Sequence, residues 1–442
     1  MFLRFVVNNL YSFKDETEFN LFPSSKATHH LHHKIQCNYT EALRLTALYG
    51  ANGAGKSNLI KAIADLRNII HKGTISGNAM QFYKFQLSKQ KLNEPVSMAI
   101  EFCHEGTIYY YSIEFDTGII TYESLSISEK EKDRLVFERK SNGTQSITFG
   151  KEYLKDKKNE FFSNVLEEKL LNKETLLLSF MATNYPEEII EIKDAYCWFR
   201  DKLVIVKSDG MKDLTIAHLL DTDPEMMNLL RELLPGMKTG ISRISIVSSE
   251  MKEDRLNPEW VNQLKTNPGI AQVIQNSFDP RVALSVVYEN GKILLKELQP
   301  IHQLDNGEDV KMPIFFESDG TIRLIEYIPF LYLILNKDCT VLIDEIERSL
   351  HPILIKEIVT KISESETAKG QVIFTTHESC LLDQTILRPD EIWFAQKDPE
   401  QATQLYPLSD FNIHKTANIE NGYMNGRYGG IPFLSNLKDL HW

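Results

Sequence analysis

Nothing in the 442-residue chain has the length of a membrane span, because no run of about 18 apolar residues occurs. The opening Met1-Phe2-Leu3-Arg4-Phe5-Val6-Val7-Asn8 turns polar too early for a signal peptide, so the cytosol is the expected compartment, with no membrane partner. The five cysteines are scattered with no C-x-x-C pair, which argues against a cysteine zinc site and a disulfide framework. There is no internal repeat and no sustained heptad pattern, which excludes a solenoid and a long coiled coil. An excess of positive charge is missing too: 49 Lys and Arg stand against 61 Asp and Glu, a formal net charge of −12. Bulk charge therefore gives no pull toward nucleic acid, although a local basic groove can exist within an acidic protein.

What is present is an ordinary globular composition long enough for two to three domain-sized units. Residues 2–7 and 43–49 read as strands, the second running into a glycine-rich loop. Leu59, Ile60, Ile63, Leu66, Ile69 and Ile70 then recur at helical spacing. Residues 96–103, 107–115 and 119–127 read as an antiparallel meander. Between 151 and 280 the pattern is mainly helical, with helices expected at 161–171 and after Asp223-Pro224, which supply a cap and a first-turn proline. Strands return at 282–288 and 292–298, joined by the hairpin signal Glu289-Asn290-Gly291. The expected division is thus 1–150, 151–280 and 281–442.

The chemistry lies in the first and last of these. Gly50-Ala51-Asn52-Gly53-Ala54-Gly55-Lys56-Ser57 fits G-x-x-x-x-G-K-[ST], and its strand-before, helix-after setting is the confirming one. Backbone N–H groups around Asn52, Gly53 and Gly55 would converge on phosphate oxygens, Lys56 would neutralise the β and γ phosphates of ATP, and Ser57 would ligate Mg²⁺. Residues 339–343 form an apolar run ending in Asp344-Glu345; Asp344 is expected to hold Mg²⁺ and Glu345 to orient or deprotonate the attacking water. His377 ends a further strand and is the expected γ-phosphate sensor. Ser318 and Gly320, in Glu317-Ser318-Asp319-Gly320-Thr321, open another helix and offer a second phosphate-facing surface, for ATP held by another subunit.

Taken in order, the phosphate loop, the Ser-x-Gly element, the Asp-Glu strand, Ser349-Leu350-His351-Pro352 and the histidine strand resemble the ABC-type ATPase heads of the SMC, RecF and OLD group. The resemblance implies an α/β fold: a mixed sheet with a P-loop core plus an antiparallel β subdomain, with a mainly helical insertion. It also implies a head-to-tail homodimer or higher oligomer that sandwiches ATP, each Ser318 and Gly320 completing the opposite γ-phosphate site. Asp344-Glu345-Ile346-Glu347-Arg348-Ser349-Leu350-His351-Pro352, Glu317 to Thr321 with Arg323, and Gly426-Arg427-Tyr428-Gly429-Gly430-Ile431-Pro432-Phe433 are similar to the AbiL or RloA type of bacterial anti-phage and abortive-infection ATPases. That type implies a separate effector protein, a nuclease or toxin encoded nearby. The alternative is a RecF- or SMC-like DNA-repair or chromosome-maintenance ATPase that clamps DNA. A nucleotide-gated scaffold that hydrolyses ATP very slowly is the non-enzyme reading.

Two positions depart from the ABC pattern. Asp319 replaces a signature glycine and puts a negative charge beside a γ-phosphate, for which Arg323 is the expected compensation. Gln86 is the nearest candidate for the Mg²⁺-sensing glutamine. Elsewhere, the histidines of Thr28-His29-His30-Leu31-His32-His33 have no acid or cysteine near them in sequence and read as a solvated loop near the nucleotide. Asn9-Leu10-Tyr11-Ser12-Phe13-Lys14 resembles a nucleotide-touching turn, and the mixed charges of 129–134 read as a solvated segment. The Arg- and Tyr-bearing tail 423–430 suits either a packed hairpin or recognition of a protein or single-stranded nucleic acid.

Overall fold

The computed structural model describes residues 1–75, 83–153, 162–208, 215–237, 239–276, 279, 281–414 and 416–431. Two compact units share the chain: one holds 1–205, 338–346 and 359–442, the other 206–337 and 347–358. No described helix is long and apolar enough to cross a membrane.

In the first unit a six-stranded sheet runs in the order Leu203–Val206, Thr340–Ile343, Gln371–Thr375, Leu45–Gly50, Ile392–Lys397, Thr403–Pro407. The three middle pairings are parallel and the last is antiparallel. Every residue of Leu45–Gly50, Thr340–Ile343 and Gln371–Thr375 is buried, as expected of parallel strands covered on both faces. The histidine-bearing strand therefore separates the phosphate-loop strand from the Asp-Glu strand, and all three end at the same edge.

A seven-stranded antiparallel sheet stands beside this core, with Phe2–Asn8 and Thr17–Asn20 at one side and the meander from Val96–His104 to Thr144–Phe149 completing it. One of its strands, Ile119–Ile127, carries Glu123, a fully buried carboxylate. It accepts the N–H groups of Leu177 and Leu178 at 2.8 and 2.9 Å and the Tyr111 hydroxyl at 3.1 Å. The helix Leu177–Asn184 starts after Leu176, which has no capping side chain, so Glu123 supplies the cap from a distant strand. Burial pushes the Glu123 carboxyl upward, opposed by Arg139 at 3.7 Å.

The expected boundary at 150 is crossed by this packing. Trp198 is fully buried and stacks on Phe102 with ring centroids 4.2 Å apart, so the segment up to 205 shares the core of the first unit. Helix predominates over strand among the described residues of 151–280. Within the expected 161–171 helix, Phe161 lies outside the described residues and Leu166–Leu170 forms one π-helical turn.

The second unit folds around the antiparallel strands Arg243–Glu250, Lys292–Gln303, Ala283–Glu289 and Gln272–Gln275. The expected hairpin is present: Glu289 pairs with Lys292 across Asn290 and Gly291, whose φ values of 52° and 79° suit a two-residue turn. Asp223 caps Pro224–Leu233, its carboxylate accepting from Glu225 N–H and Met226 N–H at 3.0 and 3.1 Å. Leu230, Ile244, Ile325 and Ile328 join this helix, the sheet and the helix Asp319–Asn336 in one core.

Candidate functional site

The phosphate loop joins the central strand to the helix Lys56–Lys72. Gly55 has φ 109°, and a Cβ there would lie 2.1 Å from the Thr403 hydroxyl, so both conformation and space demand glycine. Gly53 has φ 78° and open space beside it, and Asn52, Gly53 and Ser57 are exposed. Behind the loop, Thr403 Oγ1 donates to Ala54 O and shares a hydrogen bond with the Ser12 hydroxyl, both at 2.8 Å, and Asn58 donates to Ser12 Oγ at 2.8 Å. The turn 9–14 thus braces the phosphate loop through Ser12, while Tyr11 donates its hydroxyl to Asp65. Thr403 was not legible as a site residue in sequence.

Lys56 is buried; its ammonium donates to Gly50 O at 2.8 Å, to Ala51 O at 3.3 Å and to His377 Nε2 at 3.1 Å. Ser57 donates to Asp344 Oδ1 at 3.0 Å, and Thr375 donates to the same oxygen at 2.6 Å. Thr375 Oγ1 in turn accepts the N–H of Glu345 at 2.7 Å. Glu345 has φ 53°, a left-handed conformation that costs a non-glycine residue about 1–3 kcal/mol and recurs at functional sites. Lys56, Ser57, Asp344, Glu345 and His377, far apart in sequence, are therefore brought to one edge of the sheet. Thr375 joins them as a residue that sequence reasoning missed. Gln86 is exposed, and its amide donates to Lys84 O at 2.8 Å.

The donor set fits a magnesium nucleotide. A hydroxyl and a carboxylate share one point, a buried ammonium stands beside a glycine-rich loop at a helix start, and hard oxygen ligands suit Mg²⁺.

In the second unit Ser318 caps the helix Asp319–Asn336, its Oγ accepting from Thr321 N–H at 3.1 Å. A Cβ at Gly320 would come within 2.9 Å of Ser349 O, so the Ser-x-Gly element and the loop carrying Ser349 pack closely. Asp319 is compensated, but not by Arg323. Arg281 pairs with Asp319, and its Nε donates to both Asp279 oxygens at 3.0 and 2.9 Å. Arg323 is buried instead, over the Tyr327 ring at 4.9 Å and 3.4 Å from Glu326. Asp319 and Arg323 are one helical turn apart on the same side of the helix, but the Arg323 guanidinium turns to Glu326 and Tyr327 instead.

Two other expectations change. His33 is fully buried, with Glu391 at 2.8 Å and Ser363 O at 2.9 Å, so the histidine segment is not simply a solvated loop. Burial pushes His33 down to about 4 and pushes Glu391 up. The tail is packed: Tyr423 and Tyr428 are buried, both rings stack on Phe394, and a Cβ at Gly429 would lie 2.3 Å from Gln396 Oε1. Pro432 and Phe433 lie outside the described residues. In the segment 129–134, Arg134 meets Glu129, Glu152 and Glu191 at 3.1 to 3.4 Å.

Compared with known proteins, the chain matches the family described as "AAA domain, putative AbiEii toxin, Type IV TA system" over residues 45–173 and 206–383. No curated protein matches it. Among solved structures it is similar to the SMC head domain from Thermotoga maritima, at 12% identity over 92% of this chain and 98% of that chain, with a TM-score of 0.41. It is likewise similar to an SmcHead bound to the C-winged helix domain of ScpA, at 14% identity over 92% and 97% of the two chains, with a TM-score of 0.42.

Proposed function

The chain belongs to this AAA-domain family, matched over well more than half of its length, and from that premise we propose that it is an ATP hydrolase. The observation that carries the reading is the cluster in which Ser57 and Thr375 meet the Asp344 carboxylate while Lys56 meets His377. Lys56 and the loop N–H groups bind the β and γ phosphates. Ser57 and Asp344, with Gln86 as a further candidate, would hold Mg²⁺, which would supply charge neutralisation at the phosphate oxygens. Glu345, its backbone held by Thr375, orients the attacking water and accepts its proton. His377 donates toward the γ-phosphate and registers its loss.

Hydrolysis requires two copies of the chain, in this reading. Ser318 and Gly320 of one copy face the γ-phosphate held by the phosphate loop of the other, and Arg281 keeps Asp319 from repelling it. The ATP-driven pairing regulates a separate effector, a nuclease or toxin, in bacterial anti-phage defence; the toxin–antitoxin wording of the family description and the motif resemblance support this role. Cytosolic localisation goes with it.

Phosphate release by the wild type and by Glu345→Gln tests the enzymatic claim. A wild-type rate well above that of the variant supports it, and equal near-zero rates would leave only a nucleotide-gated scaffold.

A further inference from the structure

The phosphate site makes no use of the imidazoles of His30, His32 and His33. One ring nitrogen of each lies within 4.8 Å of those of the other two. Each Nε2 faces a backbone carbonyl: His30 meets Gln384 O at 3.0 Å, while His32 and His33 meet Ser363 O at 2.8 and 2.9 Å. A carbonyl oxygen only accepts, so each Nε2 carries the ring proton and the lone pair of the neutral ring lies on Nδ1. Metal-ligating imidazoles are held in this way, one N–H fixed on a carbonyl and the other nitrogen bare.

A carboxylate stands beside one of the three rings. Glu391 and His33 are fully buried, and the His33 Nδ1 faces the two Glu391 oxygens at 2.8 and 3.1 Å. A lone pair facing a carboxylate in a dry interior is costly unless a cation, a proton or a metal ion, lies between them. Neighbouring charges do not take that place: Arg388 binds Asp390 through two hydrogen bonds of 2.9 and 2.7 Å.

We propose that His30, His32, His33 and Glu391 bind one divalent transition-metal ion of the zinc class. Three imidazoles with one carboxylate suit zinc rather than magnesium or calcium, and four protein ligands make a closed, structural site. Ligands on a common zinc at about 2.0–2.1 Å stand roughly 3.4 Å apart, so the rings turn and close on the ion. His30 and His32 are only partly buried on a short turn, which leaves them room to rotate. The ion fastens the segment before the phosphate-loop strand to the start of its neighbour Ile392–Lys397, where Ala47 N–H already donates to Glu391 O at 2.8 Å.

Chelator-stripped full-length protein is dialysed against micromolar ZnCl₂ with excess MgCl₂, the bound zinc is counted, and Co²⁺ absorption reports the coordination. We expect about one zinc per chain and the intense visible bands of tetrahedral cobalt. His30→Ala/His32→Ala, checked for folding by circular dichroism, should weaken binding by about 10–100-fold or more. Absence of zinc from the wild type, weak octahedral cobalt bands, or equal binding by the folded variant would overturn the site; if the variant does not fold, the wild-type zinc count and cobalt spectrum decide alone.

Discussion

Thr375 donates its hydroxyl to the Asp344 carboxylate at 2.6 Å and with the same oxygen accepts the Glu345 N–H at 2.7 Å. One hydroxyl thus orients the proposed metal ligand and fixes the backbone of the proposed general base. Thr375→Val keeps the shape and removes both bonds. Outer-shell losses of this kind cost about 10–100-fold, so phosphate release should fall by that factor and require more Mg²⁺ for half-maximal rate. A magnesium titration of both proteins checks this; unchanged curves would deny Thr375 the role.

Arg281 and Asp319 make a second coupled pair. With Arg281→Ala the Asp319 charge stands uncompensated beside the proposed γ-phosphate position, so phosphate release should slow while nucleotide binding at Lys56 persists. Adding Asp319→Asn should recover much of the rate, a non-additive result that a double-mutant cycle measures. Additive losses would separate the two residues.

Gly55→Ala should abolish tight nucleotide binding. Its Cβ would strike the Thr403 hydroxyl, which its bonds to Ser12 and Ala54 hold in place, and the backbone has φ 109°. Titration with a fluorescent ATP analogue should give an affinity at least about tenfold weaker, and wild-type affinity would mean that the loop tolerates the change.

The tail should prove structural. Tyr428 is buried against Phe394, whose strand pairs directly with the phosphate-loop strand. Tyr428→Ala should therefore destabilise the first unit by about 3–5 kcal/mol, read from its denaturant midpoint. An unchanged midpoint would return the tail to the role of a recognition arm.

The parts of the site that were legible in sequence are those with local spacing. Gly50 to Ser57, Asp344-Glu345 and the strand before His377 each carry their signal within about ten residues, because a strand ending in a loop is a local event. Thr375 was not legible, since its bonds run to a neighbouring strand about thirty residues away in the chain. The His33 to Glu391 contact spans 358 residues, so the histidine segment looked as if it lacked an acid. Arg323 looked like the partner of Asp319 because helical spacing puts the two one turn apart, yet its buried guanidinium is taken by Glu326 and Tyr327, and Arg281 arrives from a separate hairpin. The boundary at 150 failed to anticipate Trp198 and Glu123 for the same reason: packing and capping join distant segments without a local mark.

The central claim is that ATP is hydrolysed at a site shared between two copies. Lys56→Ala spoils the phosphate loop and Ser318→Ala spoils the facing element, so each variant alone should release little phosphate. In an equimolar mixture half of the dimers pair the two variants, and each of these holds one intact site. The mixture should therefore recover about a quarter of the wild-type rate, given a symmetric dimer that exchanges freely. Phosphate release that stays at the level of the separate variants, or full activity of Ser318→Ala alone, would contradict the shared site.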